Sequence, residues 1–169
     1  MPDGPKLRFP PLETPFRVVL VEPEIPPNTG AVARTCVGTG SALHLVGELG
    51  FDISEHAVRR AGLDYWPLLD LHRHDDLDGF RAAHPDARLH LFSANARASY
   101  LEADFRPGDA LVFGKESVGL PPELVAKEPR VWGIPTAGGV RSLNLSNAVT
   151  VALYEALRRS GALDQTEMR

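Results

Sequence analysis

Short apolar runs recur along the chain, and each is followed by a polar loop and then by a more mixed stretch. The runs are rich in Val, Leu and Phe and are bounded by Gly, Pro, Asn or Asp, as is typical of strands buried on both faces. The pattern predicts strands at 16–21, 43–46, 68–71, 89–92, 110–113 and 131–134.

Apolar residues at helical spacing predict helices between and after these strands. Asn28 and Thr29 are predicted to cap the first helix, with Gly40 just beyond its end. The predicted helices are 28–38, 54–61, 75–83 and 142–159, and another begins near Pro121. Alternating strands and helices indicate an α/β domain with a mostly parallel sheet that is covered by helices on both faces.

The chain of 169 residues has 43% hydrophobic residues, so it can bury a core but is too short for two full-sized domains. Prolines at 2, 5, 10, 11 and 15 predict a flexible or extended arm over residues 1–15. We therefore expect one domain over 16–160 and a short tail over 161–169.

Composition narrows the classes of protein further. No apolar run approaches the roughly 20 residues of a transmembrane helix, and the N-terminus lacks the regions of a signal peptide, so we expect a soluble, cytoplasmic protein. The single cysteine, Cys36, cannot form an internal disulfide, and its apolar neighbours predict a buried packing residue. The formal net charge of -4 means that any nucleic-acid surface requires grouped basic residues. Candidates are Arg59, Arg60, Arg141, Arg158 and Arg159.

Three polar loops follow apolar runs, where ligands bind in parallel α/β sheets. The first, 22–30, leads into a helix that carries Arg34, and the second is 114–121. The third, 134–148, holds two glycines and then several hydroxyl and amide side chains at the start of the last helix.

Common nucleotide-binding motifs are absent from these loops. A phosphate-binding P-loop requires glycine where Asp109 stands and Ser or Thr where Glu116 stands. The dinucleotide fingerprint fails because Gly38 and Gly40 follow a helix rather than a strand. No Gly-x-Ser-x-Gly hydrolase motif is present. The run His72-Arg73-His74-Asp75-Asp76 has metal-ligand side chains, but adjacent ligands without a second cluster fit a closed site poorly, so we predict no metal site.

Two residues, one on the helix after the first loop and one in the second loop, have alternative interpretations. Arg34 is either an ordinary surface arginine or, together with the helix N-terminus near Asn28 and Gly30, part of a site for an anion such as phosphate. Glu116 either caps the helix that begins near Pro121 or orients groups around a ligand.

Together and in this order, the three loops resemble the signature motifs of the SpoU branch of the SPOUT RNA methyltransferases. The motifs are Asn28-x-Gly30-x-x-x-Arg34, residues 113–120, and residues 142–148. Within that branch, 22–30 and 59–65 are similar to the TrmL group, which methylates the wobble nucleotide of tRNA. The similarity covers about residues 16–160.

The resemblance implies a fold, a cofactor and partners. The fold is α/β with a deep C-terminal trefoil knot, assembled as a homodimer, and the methyl donor is S-adenosylmethionine. The substrate is the 2'-hydroxyl of the wobble cytidine or uridine of tRNA, reached through the anticodon stem and loop. Alternatives are another tRNA position, ribosomal RNA, or an RNA-binding member of the same fold without catalysis.

The resemblance also implies roles for individual residues. The catalytic set is Arg34, Asn144, Ser142 and Glu116, and Arg34 is expected to bind the adjacent phosphate and stabilise the emerging alkoxide. Cofactor contacts are expected at Phe92, Gly114, Ile134 and Ser142. Substrate contacts are expected at Asn28, Arg59, Arg60 and Arg141. No metal is required, because the sulfonium already provides a good leaving group.

Overall fold

The fold is built around one parallel sheet in a computed structural model that describes residues 4–54 and 64–169. Within these ranges, six strands pair in the order β4-β3-β2-β6-β5-β7, and every pairing is parallel. These strands are β2 Arg17–Val21, β3 Ala42–Val46, β4 Leu71–His74, β5 Leu89–Phe92, β6 Ala110–Phe113 and β7 Val131–Trp132. The predicted α/β class and mostly parallel sheet are confirmed.

Helices connect the strands and cover the sheet. The described α-helices are α1 Pro26–Thr39, α2 Leu77–Ala83, α3 Pro122–Lys127 and α4 Leu145–Arg159. Short 3-10 helices lie at Trp66–Leu68, Tyr100–Glu102 and Ala162–Gln165. In the described part of the chain, no helix is both long enough and apolar enough to cross a bilayer. Most of the predicted helix at 54–61 lies outside the described residues.

Alternate residues of each strand pack into different cores, because successive side chains point to opposite faces of a sheet. Val18 and Leu20 pack with α1 and α4 on one face. Val19 packs with Phe80 of α2 and with side chains of α3 on the other. Cys36 is fully buried on the inner side of α1, and burial raises the pKa of its thiol to about 12, so it packs as a neutral side chain, as predicted.

The first helix begins earlier than its sequence predicts. Pro26 and Pro27 occupy its first two positions, where a missing N–H costs no helical hydrogen bond. Asn28 and Thr29 are therefore buried inside the first turn, and the prediction that they cap the helix is wrong. The left-handed Gly40 ends the helix as predicted.

Other boundaries also differ from their predictions. The strand predicted at 68–71 is displaced to Leu71–His74, because Pro67 favours a 3-10 turn before it and the edge strand is only half-buried. The second described helix begins at Leu77, after an Asp76 cap, instead of at 75. The last helix begins at Leu145 instead of at 142, because Asn144 caps it.

The predicted arm and tail meet in a second, two-stranded sheet. Strand β1, Leu7–Arg8, pairs antiparallel with β8, Glu167–Met168. Phe9 and Leu12 pack against the larger core. This part of the proline-rich segment is thus extended and lies against the domain.

Candidate active site

A cleft of about 990 Å³ opens at the carboxyl ends of β5, β6 and β7. Its walls come from the loops that follow these strands, together with Asn28 of α1. This is the position at which parallel α/β sheets bind ligands. The volume lies at the upper end of the range of about 300–1,000 Å³ for small-molecule sites.

Most of the predicted site residues converge on this cleft, although they are far apart in sequence. Those that line it are Asn28, Phe92, Gly114, Glu116, Ile134, Arg141, Ser142 and Asn144. Arg34 is not among the lining residues. Arg59 and Arg60 lie outside the described residues.

Arg34 is exposed on α1, and its guanidinium carbon lies 5.7 Å from the centroid of the Tyr65 ring. Tyr65 is fixed to the same helix, because its hydroxyl donates to the carbonyl oxygen of Gly30 at 2.7 Å. A cation over a ring at this distance is a weak, solvent-exposed attraction. The arginine is therefore held at the surface, with its charge available to an anion.

Glu116 joins the second loop to the start of α1. Its Oε2 accepts from the backbone N–H of Glu24 at 2.8 Å. Its Oε1 accepts from the backbone N–H of Ile25 at 3.1 Å and from Asn28 Nδ2 at 3.2 Å. The carboxylate thus reaches the N-terminal end of α1, rather than serving as the cap of α3.

Asn28 and Asn144 extend this connection to the third loop. Asn144 Nδ2 donates to Asn28 Oδ1 at 2.9 Å. Asn144 Oδ1 accepts from Ser146 N at 3.0 Å, from Ser146 Oγ at 2.6 Å and from Asn147 N at 3.4 Å, and so caps α4. A continuous chain of hydrogen bonds therefore holds the three sequence motifs together.

These contacts keep Glu116 ionised at neutral pH. Burial acts to raise its pKa, but hydrogen bonds from Glu24, its own backbone N–H, Asn28 and Ile25 lower the pKa below the ordinary value. A carboxylate with a lowered pKa is a poor proton acceptor at neutral pH. Its geometry suits the positioning of loops better than the removal of a proton.

We expect Glu116→Gln to lower the free energy of unfolding by about 2 kcal/mol, because charge-assisted hydrogen bonds are lost and the new amide group opposes N–H donors. Urea unfolding followed by fluorescence measures the change. Glu123→Gln, in the exposed first turn of α3, is the matched control and should change stability by less than about 0.5 kcal/mol. Equal losses in both variants would contradict the positioning role.

The third loop folds over the second. Gly138 and Gly139 have φ angles of 114° and 80°, which residues with side chains rarely adopt. This turn therefore requires glycine at both positions. After this turn, Arg141 Nη2 approaches the carbonyl oxygens of Ser117 at 3.3 Å and Glu116 at 3.4 Å. Arg141 thus places a positive charge at the rim of the cleft.

A buried polar network that the sequence pattern did not reveal supports the floor of the cleft. Trp132, which lines the cleft, donates its Nε1–H to His90 Nδ1 at 2.9 Å. His90 is fully buried, and because Trp132 Nε1 can only donate, His90 Nδ1 accepts and its Nε2–H donates to Asp109 Oδ2 at 2.8 Å. Arg88 holds both oxygens of Asp109, at 2.9 and 2.6 Å. His90 and Trp132 lie on the neighbouring strands β5 and β7, whereas Arg88 and Asp109 directly precede β5 and β6. The one signal in the sequence is a histidine within the apolar run of β5.

The hydrogen bonds of Asp109 also predict that the stability of the fold depends on pH. Burial acts to raise its pKa, but hydrogen bonds from His90, Arg88 and the backbone N–H of Arg106 hold the pKa well below its ordinary value. For a carboxyl group with a lowered folded-state pKa, the stabilisation is present above the unfolded pKa of about 3.9 and is lost as pH falls through the folded value.

We expect Asp109→Asn to cost about 3 kcal/mol at pH 7, because a partner of a buried charge network is removed. As the pH is lowered below about 4, the variant should also lose less stability than the parent. Urea unfolding at a series of pH values measures both effects. A variant that keeps the acid sensitivity of the parent would contradict the assignment of that sensitivity to Asp109.

The loop at 93–99 after β5 lines one side of the cleft and was not predicted as part of the site beyond Phe92. The signal was present, since the loop follows a buried apolar strand. It has no glycine pair or charged cluster, so no sequence motif marks it.

A parallel α/β sheet with polar loops converging at its carboxyl edge defines a class of ligand-binding proteins in which enzymes are common. Residues 15–154 match the model of the SpoU rRNA methylase family. The chain belongs to this family, and the resemblance seen in the sequence is confirmed.

Relatives in the family act on RNA. A protein of Burkholderia pseudomallei named tRNA (cytidine(34)-2'-O)-methyltransferase is 50% identical over 151 residues, which cover 86% of this chain and 96% of the relative. A solved structure described as "Structural insights into the 2-OH methylation of C/U34 on tRNA" is 52% identical, covers 85% of this chain and 95% of its own, and has a TM-score of 0.80. An AdoMet-bound rRNA methyltransferase of Sinorhizobium meliloti is 28% identical, with coverage of 89% and 61% and a TM-score of 0.74.

Proposed function

We propose that this chain is an S-adenosylmethionine-dependent methyltransferase that modifies the ribose 2'-hydroxyl of nucleotide 34, the wobble cytidine or uridine, in tRNA. The observation that carries the proposal is the 50% identity to a relative named tRNA (cytidine(34)-2'-O)-methyltransferase. The match covers 96% of that relative's length. Because the match covers almost all of the relative, the relative has no separate unmatched domain that could carry its named activity.

The cleft is the proposed site of the methyl donor. Phe92 and Ile134 offer apolar surface to the adenine ring, while Gly114 and Ser142 bring main-chain and hydroxyl groups to its polar parts. The mixture of apolar walls and backbone groups at strand ends fits an adenosine-containing ligand. The AdoMet-bound neighbour supports this choice of cofactor.

The chemistry requires a weak nucleophile to be oriented and its developing charge to be stabilised. S-adenosylmethionine supplies an electrophilic methyl group on a sulfonium, so no metal is needed to activate the leaving group. Asn144 orients the ribose, Ser142 contacts ribose and cofactor, and Glu116 holds the loops together. Arg34 binds the adjacent phosphate and stabilises the alkoxide, since a guanidinium stays protonated in proteins and is rarely a base.

The functional unit in this proposal is a homodimer. Exposed apolar side chains lie near the cleft and on α4, including Val118 at 74%, Val140 at 59% and Tyr154 at 43% exposure. A second copy would cover them and explain why Arg34 lies outside the cleft of its own chain. Asn28 and Arg141, with Arg59 and Arg60, would then contact the anticodon stem and loop. The domain over 16–160 would contain the deep trefoil knot, with 1–15 and 161–169 as its arm and tail.

Incubation with labelled S-adenosylmethionine and bulk tRNA, followed by digestion to nucleosides, tests the activity. We expect label in 2'-O-methylcytidine or 2'-O-methyluridine. Label that enters ribosomal RNA but not tRNA would support the alternative substrate. Absence of label from both, with cofactor binding retained, would indicate an RNA-binding protein without catalysis.

A further inference from the structure

Four histidines gather at the edge of the sheet that is remote from the cleft. His44 lies on β3, His72 and His74 lie on the edge strand β4, and His84 ends α2. The cleft is built on β5, β6 and β7, on the other side of the sheet order. The methyl-transfer chemistry proposed above uses none of these side chains.

Three of them bring ring nitrogens together. One nitrogen each from His44, His74 and His84 lies within 4.8 Å of the other two. His44 Nδ1 and His74 Nε2 are 2.9 Å apart, and the ring centroids of His44 and His84 are 4.9 Å apart. Nitrogens bound tetrahedrally to zinc at about 2.0–2.1 Å lie about 3.4 Å from each other. Ring rotations that move His44 Nδ1 and His74 Nε2 about 0.5 Å further apart, and bring the His84 nitrogen to the same spacing, would complete a coordination triangle.

The surroundings of His44 hold its ring in place within the cluster. The residue is 1% exposed, and its Nε2 has no hydrogen-bond partner in residues 4–54 and 64–169. Buried polar atoms are normally paired, so this nitrogen is an exception. The unpaired atom is Nε2, whereas the nitrogen that faces His74 is Nδ1. The ring of His44 packs edge-on against Phe80 at 5.0 Å and stacks on His72 at 4.6 Å, so its position in the cluster is fixed.

We propose that His44, His74 and His84 form a binding site for one divalent transition metal ion of the zinc type. Imidazole is a preferred ligand of Zn²⁺, Ni²⁺ and Cu²⁺, whereas Mg²⁺ and Ca²⁺ prefer oxygen. His74 and His84 are only half-buried, which provides an entry path and leaves a fourth position for water. The ion would join α2 to the β3–β4 edge and stabilise that side of the sheet.

His72 offers a matched control within the same cluster. Its ring stacks on His44 at 4.6 Å, but its Nε2 is paired with Asp70 Oδ1 at 2.7 Å, and it is not one of the three converging ligands. A site made by the three named residues therefore predicts different effects for substitutions only two positions apart on β4.

The test uses the full chain after treatment with a chelator. We expect one Zn²⁺ to bind per chain when the protein competes with a chromophoric chelator. Zn²⁺ should raise the melting temperature, and excess Mg²⁺ should not change the affinity for Zn²⁺. Co²⁺ should give the intense visible absorption of a tetrahedral site. His74→Asn and His84→Asn should each weaken Zn²⁺ binding by more than about 100-fold, which exceeds the loss typical of a residue outside the ligand set.

The variant His72→Asn should retain Zn²⁺ affinity within about tenfold. Circular dichroism and thermal melting without metal show whether the His74 and His84 variants are folded. If one variant does not fold, the other still tests the site. Absence of stoichiometric binding, or equal affinity in the parent and the two ligand variants, would overturn the proposal. A loss in His72→Asn as large as that in His74→Asn would also overturn the three-residue assignment.

Discussion

Gly114→Ala should weaken S-adenosylmethionine binding by about 100-fold or more. A Cβ at this position would lie 2.1 Å from the carbonyl carbon of Gly119 and 2.2 Å from the backbone nitrogen of Leu120. Both are main-chain atoms, so the methyl group fits only if the second loop opens away from the end of β6. Displacing a binding group by about 1 Å has consequences of this size. Calorimetric titration with S-adenosylmethionine measures the loss.

Gly38→Ala is the matched control for this result. Gly38 lies in α1, and among the described residues no heavy atom beyond its chain neighbours and the adjacent helix backbone lies within 4 Å of a Cβ built there. Alanine should therefore be tolerated there and should stabilise the helix by about 0.5–1 kcal/mol. If Gly114→Ala binds the cofactor as tightly as Gly38→Ala does, the backbone of the second loop does not form the binding surface.

Arg34→Ala should lower the rate of methyl transfer by about 10²–10³-fold while leaving cofactor affinity nearly unchanged. The separation follows from the geometry, because Arg34 is exposed over Tyr65 and does not line the cleft. Single-turnover kinetics with tRNA measures the rate, and calorimetry measures cofactor affinity. Arg34→Lys should recover only part of the rate, since the ammonium group lacks the planar pair of donors.

Arg106→Ala provides the control for the arginine substitution. Arg106 is 68% exposed and pairs with Asp104, away from the residues assigned to the site. Its removal should leave both the rate and cofactor affinity unchanged. Loss of cofactor binding in Arg34→Ala would contradict the role assigned to that residue, as would a rate equal to that of Arg106→Ala.

The sequence predicts the inner strands of the fold best. The bounds 89–92 and 110–113 agree with β5 and β6, because these runs are buried throughout and their apolar character is continuous. The edge strand β4 is misplaced by three residues, because it is partly exposed and includes the polar residues His72, Arg73 and His74. The local sequence pattern identifies a strand only where burial on both faces restricts its residues to apolar ones.

The site is predictable to the extent that each loop carries its own motif. Glu116, Asn28 and Asn144 are identified from sequence, but the hydrogen bonds that join them span 88 and 116 residues of chain. No local spacing contains that information. The same limit explains the histidine cluster, in which the run at 72–76 supplies His74 while His44 comes from 30 residues away.

Methylation of two matched tRNA substrates tests the central claim most directly. One substrate has a ribose at nucleotide 34, and the other has a 2'-deoxyribose there and is otherwise identical. We expect one methyl group per tRNA on the ribose of nucleotide 34 in the first substrate and none in the second. Equal methylation of both substrates, or a methyl group found on a base, would contradict it.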